Sequence, residues 1–129
     1  MEATLDVNRI QHEFLQAQKN FQYLELRPTT GGKVFARAAL QTASHTYVLS
    51  IKFPDSYPYE MPRVYVDAPP IAYAPHRYQD GNLCYLHPSM WNPGSHDLSF
   101  VIARAAKWLA KYEVWKRPNG RWPGAEIKH

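Results

Sequence analysis

The chain has one cysteine, no apolar run of about 18 residues, and neither a repeat nor a low-complexity tract. Each absence excludes something. A lone cysteine cannot close an internal disulfide, which fits a reducing compartment such as the cytoplasm. Without a long apolar run, a membrane-spanning helix is excluded. The opening Met1-Glu2-Ala3-Thr4-Leu5-Asp6 lacks the basic-then-apolar layout of a secretory leader, so none is expected. Strong charge is lacking too: 15 Lys and Arg against 11 Asp and Glu give a formal +4. An excess of that size is what ordinary solubility produces, with a basic docking surface as the alternative.

Apolar residues make up 45% of the 129 positions and aromatics 14%, a composition that packs rather than staying disordered. One domain over residues 1–129 is expected, large enough to bury a core without staples. The 11 prolines are many for this size, and their placement is informative. Pro54, Pro58 and Pro62 recur every four residues, followed by Pro69, Pro70 and Pro75. Proline lacks an amide donor and restricts the residue before it, so this region is neither helix nor central strand. Ala68 to Met90 therefore reads as a long, structured, non-repetitive loop. Such loops in small domains are usually functional, and Cys84 lies in this one.

Around the loop, the periods change. Val7, Ile10, Phe14, Ala17 and Phe21 form one stripe of a helix, with Asp6 placed to cap it. Tyr23–Leu26 is a short strand, ended by a turn over Arg27–Gly32. Lys33–Ala38, Thr46–Phe53 and Arg63–Val66 are three more strands. Leu98, Ile102, Ala105, Leu109 and Tyr112 line the buried face of a second helix, capped by Asp97 and ended by Pro118 and Gly120. Trp115 and Trp122 follow in a tail with no clear period, and large aromatics there are expected to dock on the domain. Strands joined by short turns and flanked by helices make the class α+β, with an antiparallel meander.

Cys84 is the candidate nucleophile. A thiol attacks as thiolate, and an ordinary cysteine has a pKa near about 8.5, so reactivity needs exposure and help. Following Asp80-Gly81-Asn82, on a polar loop, it is expected to be reachable. The alternative is that Leu83-Cys84-Tyr85-Leu86 is a short buried segment with an inert thiol.

The order of these features resembles the ubiquitin-conjugating enzymes. Phe53-Pro54, Tyr57-Pro58 and Met61-Pro62 are similar to that family's strand-to-loop motif. Gly81, Leu83 and Cys84 fall where it has Gly-x-Ile/Leu-Cys, and Trp91-Asn92-Pro93 resembles its Trp-Ser-Pro. The likeness runs from about Val7 to Tyr112. It implies that fold, with an N-terminal helix, a four-stranded meander and a helix after the active-site loop. It also implies a thioester on Cys84. Where the family has His-Pro-Asn, this chain has Ala74-Pro75-His76, eight residues before the cysteine. The resemblance gives that position a role in steadying the oxyanion or holding the loop. A histidine can donate to an oxyanion, accept a proton from an attacking amine, or brace the loop by a backbone hydrogen bond.

The longer loop before His76 and the ending Trp122-Pro123-Gly124-Ala125-Glu126, in place of further helices, are similar to bacterial members of the superfamily. The stand-alone conjugating enzymes of short type II CBASS antiphage operons resemble it most; conjugating enzymes of Bil-type ubiquitin-like operons are the second candidate. That resemblance implies a protein partner, a cGAS-like nucleotidyltransferase or a ubiquitin-like protein, with a separate activating enzyme that spends ATP as a further candidate partner. It implies no cofactor on this chain.

Other readings of the same residues compete. Cys84 with His76, His87 and His96 has permissive zinc-ligand spacing, a weak signal. A Cys-His hydrolase would need a cleft and a signature that this chain lacks. Glu113 and Asp97 are rival acids for orienting an incoming lysine, although capping alone explains carboxylates at helix ends. A non-catalytic binding module of the same fold is the main rival from another class, and Cys84 argues against it. Lys107, Lys111, Lys116, Arg117 and Arg121 among tryptophans raise nucleic-acid binding, but a solvated face is the preferred reading. Arg9, His12 and Lys19 on the first helix are candidates for partner docking.

Overall fold

The computed structural model describes residues 5–124. The readings that rest on Met1–Thr4 and on Ala125-Glu126 lie outside the described residues. Helix α1 (Val7–Ala17) starts where Asp6 accepts the Arg9 amide at 3.0 Å. Ile10 and Ala17 are fully buried, and Phe14 packs against the core. Phe21 also reaches the core, but from beyond the helix: the Asn20 and Phe21 amides both turn back onto the Ala17 carbonyl.

Four antiparallel strands follow in the order β1 (Leu24–Pro28), β2 (Val34–Gln41), β3 (Thr46–Lys52) and β4 (Arg63–Ala68). Pairing runs from Leu24 opposite Ala38 to Pro28 opposite Val34, and from Phe35 opposite Lys52 to Gln41 opposite Thr46. β1 extends past its expected end to include Arg27 and Pro28. As an edge strand it tolerates a proline, whose missing amide proton is not needed on the open side. The turn shrinks to Thr30–Gly32, where Gly31 and Gly32 take left-handed φ of 82° and 75°.

Side-chain alternation sorts the sheet into two faces. Ala36, Ala38, Leu40, Tyr47, Leu49, Ile51 and Val64 are buried with the apolar side of α2 (Leu98–Lys116). The other face is polar: Ser50 donates to Asp67 at 2.5 Å, and Lys52 lies over the Tyr65 ring at 4.8 Å. Helix α2 carries all five expected buried residues, with Val101 and Trp108 added. Asp97 caps it by accepting the Phe100 amide at 2.9 Å. It stops at Lys116 because the residue before Pro118 is biased away from helix.

Between β4 and α2 the chain is non-repetitive, apart from one bridge between Arg77 and Leu83 and a single 3-10 turn at Pro88–Met90. Hydrogen bonds between side chains and backbone tie it to the domain and to itself. The Ala72 amide donates to the Tyr112 hydroxyl at 2.9 Å, and Trp91 Nε1 to the Pro58 carbonyl at 2.7 Å. Arg77 reaches the carbonyls of Ala72 and Gly81 at 3.0 and 3.1 Å. These bonds answer backbone carbonyls and amides that regular structure would otherwise pair.

Candidate active site

A tight reversal precedes Cys84. The Gly81 amide donates to the Tyr78 carbonyl and the Tyr78 amide to Asn82, each at 2.9 Å. Gly81 takes φ 93°, a conformation L side chains rarely adopt. Leu83 then donates to the Val64 carbonyl at 2.9 Å, which lays the following residues along β4. The Cys84 amide donates to the His76 carbonyl at 2.8 Å, and Trp108 Nε1 donates to the same oxygen at 2.9 Å. His76 presents that carbonyl to both donors from a left-handed φ of 59°, and its ring lies 5.2 Å from Trp122.

The thiol is not reachable as expected. Cys84 is 1% exposed, within a buried strip that includes Leu83, Tyr85 and Leu86. The reversal at Asp80–Asn82 is polar, but β4 pulls the next four residues into the core. The Tyr78 hydroxyl donates to Sγ at 3.5 Å, and Sγ lies 3.8 Å from the Leu86 carbonyl. Burial pushes the Cys84 thiol pKa up, against the contacts with Tyr78 and Leu86 and the Arg104 charge, which pull it down. Burial, then the contact with Cys84, pushes the Tyr78 phenol up to about 12.

The sulfur nevertheless borders a cleft. Its lining is Cys84, Tyr85, His76 and Trp122 with Arg104, Lys107, Trp108 and Lys111 of α2. As closed here it has about 20 Å3 of room, enough for one water molecule. Trp122 belongs to the tail, and its ring centroid is 5.2 Å from those of His76 and Trp108. The docking expected of the tail is thus observed at this cleft, while Trp115 is part of α2.

A model of the type II CBASS E2 protein family matches residues 11–129. The chain belongs to that family. It is a bacterial E2-like protein of CBASS operons, with a ubiquitin-conjugating-like function there. "Probable ubiquitin-conjugating enzyme E2 17" of Arabidopsis thaliana is 30% identical over 127 residues, 87% of this chain and 73% of the plant protein. The solved ubiquitin-conjugating enzyme E2 of Plasmodium falciparum superposes with a TM-score of 0.59 at 25% identity, covering 80% of this chain and 96% of the other. The Vps23 UEV domain, solved in complex with ubiquitin, shares the fold at a TM-score of 0.60 and 16% identity, over 83% and 84% of the two chains.

In this E2-like protein, the other candidates scatter. His87 accepts the Ser89 amide at 3.2 Å and caps the 3-10 turn. His96 accepts the Asn92 amide at 3.0 Å and stacks on Phe100 at 3.9 Å. Neither lines the cleft, so the four zinc-spaced residues do not converge; among the described residues no group of three His, Cys, Asp or Glu is placed to hold a metal. Asp97 is occupied as a cap. Glu113 faces the β2–β3 hairpin, where Thr42 and Tyr47 donate to it at 2.6 and 2.8 Å. Of α1, Arg9 is committed to Glu13 at 2.7 Å and to the Pro93 carbonyl at 3.0 Å, so it is no loose docking group. His12 is exposed, and Lys19 lies past the helix end.

Sequence reasoning missed Tyr78 and Arg104. Arg104 has a weak signal, since Arg104, Lys107 and Lys111 share a helical face beside the expected buried one. Tyr78 has none, because its contact with Cys84 depends on the reversal at Gly81.

Proposed function

We propose that this E2-like protein carries the C-terminus of a partner protein as a thioester on Cys84, in antiphage defence, with a cGAS-like nucleotidyltransferase as the partner. The observation that carries this reading is the cleft: the one cysteine, at the position of the family motif, borders it together with His76 and three cations. The type II CBASS match favours this partner over that of a Bil-type operon. For reaction, Trp122 must move out of the cleft, admitting water and the acyl group to the sulfur. The Cys84 thiolate then attacks the carbonyl carbon of a C-terminus already activated elsewhere, as a thioester or acyl-adenylate. The new C–S bond forms, and the leaving thiolate or AMP takes the electron pair. In the second step an amine attacks, loses its proton and releases the Cys84 thiolate. We assign to the His76 ring, which lines the same cleft, donation to the oxyanion or removal of that proton. ATP is spent by the separate activating step.

The test is a non-reducing gel of the protein with its nucleotidyltransferase and an activating enzyme. Wild type gives an adduct that thiol reductant removes, Cys84→Ala gives none, and Cys84→Ser gives a reductant-resistant ester. The burial of Cys84 favours a second reading, a non-catalytic module that binds a ubiquitin-like partner through this fold. Partner binding that survives in Cys84→Ala, with no wild-type adduct under any activating condition, selects it.

A further inference from the structure

Arg104, Lys107 and Lys111 lie at i, i+3 and i+7 of α2 and all three line the Cys84 cleft. Lys107 is exposed, as the solvated face favoured by the sequence would have it, but Arg104 and Lys111 are half-buried at the cleft. Lys107 and Lys111 form no ion pair among the described residues. Arg104 donates to the Tyr85 carbonyl at 2.9 Å, which leaves its charge uncompensated. Glu113, the sole carboxylate of α2, is engaged at the β2–β3 hairpin. Like charges spaced i, i+4 weaken a helix, yet Lys107 and Lys111 stay together without an ion-pair partner among the described residues. Lys111 reaches inward to the tail, such that a Cβ on Gly124 would stand 3.2 Å from its Nζ. Burial, then the nearby Lys107 and Arg104, lowers the Lys111 pKa, as expected where cations are crowded.

Crowded cations in a cleft attract anions strongly, because low-dielectric walls focus the field. The anion's class follows from the walls. Trp108 is 3% exposed and stacked on Tyr112, and the Trp122 ring is packed on His76 and Trp108, so neither stands free as a platform for a nucleobase. The cleft instead ends at a sulfur, as suits the end of an extended chain. We infer that Arg104, Lys107 and Lys111 receive an acidic C-terminal segment of the acyl donor, engaging its carboxylate side chains while its last residue lies against Cys84. This rests on the proposed loading of Cys84 and names the class of donor that the cleft selects.

Fluorescence anisotropy tests it with a labelled, glutamate-rich octapeptide ending in glycine, its glutamine counterpart, and a short single-stranded oligonucleotide. The glutamate peptide binds wild type and Cys84→Ala alike, and the glutamine peptide roughly tenfold more weakly. Reversing both charges, Lys107→Glu with Lys111→Glu, costs the glutamate peptide at least about tenfold in affinity, with Lys107→Gln and Lys111→Gln in between. Circular dichroism confirms that each variant is folded, and added salt weakens binding. Equal binding of the two peptides, indifference to both pairs of substitutions, or tighter binding of the oligonucleotide overturns the inference. Because the assay runs in Cys84→Ala, it stands apart from thioester formation. Charge-selective binding without any adduct sinks the loading step alone, and an adduct without charge selection sinks this inference alone.

Discussion

Burying a carboxylate is costly unless its oxygens are answered. Glu13, 7% exposed on α1, meets that condition: Oε1 accepts from the Tyr57 hydroxyl and from the Leu98 amide at 2.8 Å, and Oε2 from Arg9 Nε at 2.7 Å. One side chain therefore joins α1 to the proline-rich loop and to the first turn of α2. Burial, then the bond to Glu13, raises the Tyr57 phenol pKa, so the hydroxyl remains the donor. Glu13→Ala strands three donors at once, and we expect a loss of about 2–4 kcal/mol. Glu13→Gln keeps an acceptor for Tyr57 and Leu98 but loses the ion pair, for about 1–2 kcal/mol. Urea unfolding reads both, and an alanine variant as stable as wild type would refute this role. An acid three residues after Ile10, inside an apolar stripe, is visible in the sequence. Arg9, four residues before it, is equally visible, but Tyr57 and Leu98 are not, because they lie 44 and 85 residues along the chain.

At the scale of elements, the tail segment and the cysteine loop decide access to the thiol. Trp122 contributes a ring that packs on His76 and Trp108 over the cleft, from irregular chain beyond α2. Weakly held segments open at low free energy. Trp122→Ala is therefore expected to speed iodoacetamide labelling of Cys84 by roughly tenfold, followed by mass spectrometry. Burial raises the thiol pKa, so labelling of wild type should gain speed only above the ordinary cysteine range. In the variant, water reaches the sulfur and that pH midpoint should move down. Unchanged rate and midpoint would mean that another element covers Cys84. The helices and strands themselves were legible from period and caps, as the buried faces of α1 and α2 show. The loop was legible only as a loop. Its proline spacing excludes regular structure, but the inward course of Leu83–Leu86 rests on bonds to Val64, His76 and Arg104, residues elsewhere in the chain.

Over the whole molecule, one core joins the inner sheet face, α2 and the cysteine loop through Leu83, Tyr85 and Leu86. Elements that share a core lose it together, so unfolding in urea is expected to be a single transition. Tryptophan fluorescence, reporting Trp91, Trp108, Trp115 and Trp122, and far-UV circular dichroism should coincide; separated midpoints would show that the tail or the loop melts independently. Sequence by itself determined the α+β class, the element order and the family motif around Cys84. Those follow from short-range physics: periodicity, capping and the backbone limits of proline. Only the tertiary structure decided that Cys84 is covered, that Glu113 faces away from the cleft, and that three cations face into it. Burial and charge environment are set by residues distant in the chain, and no local pattern encodes which of them meet.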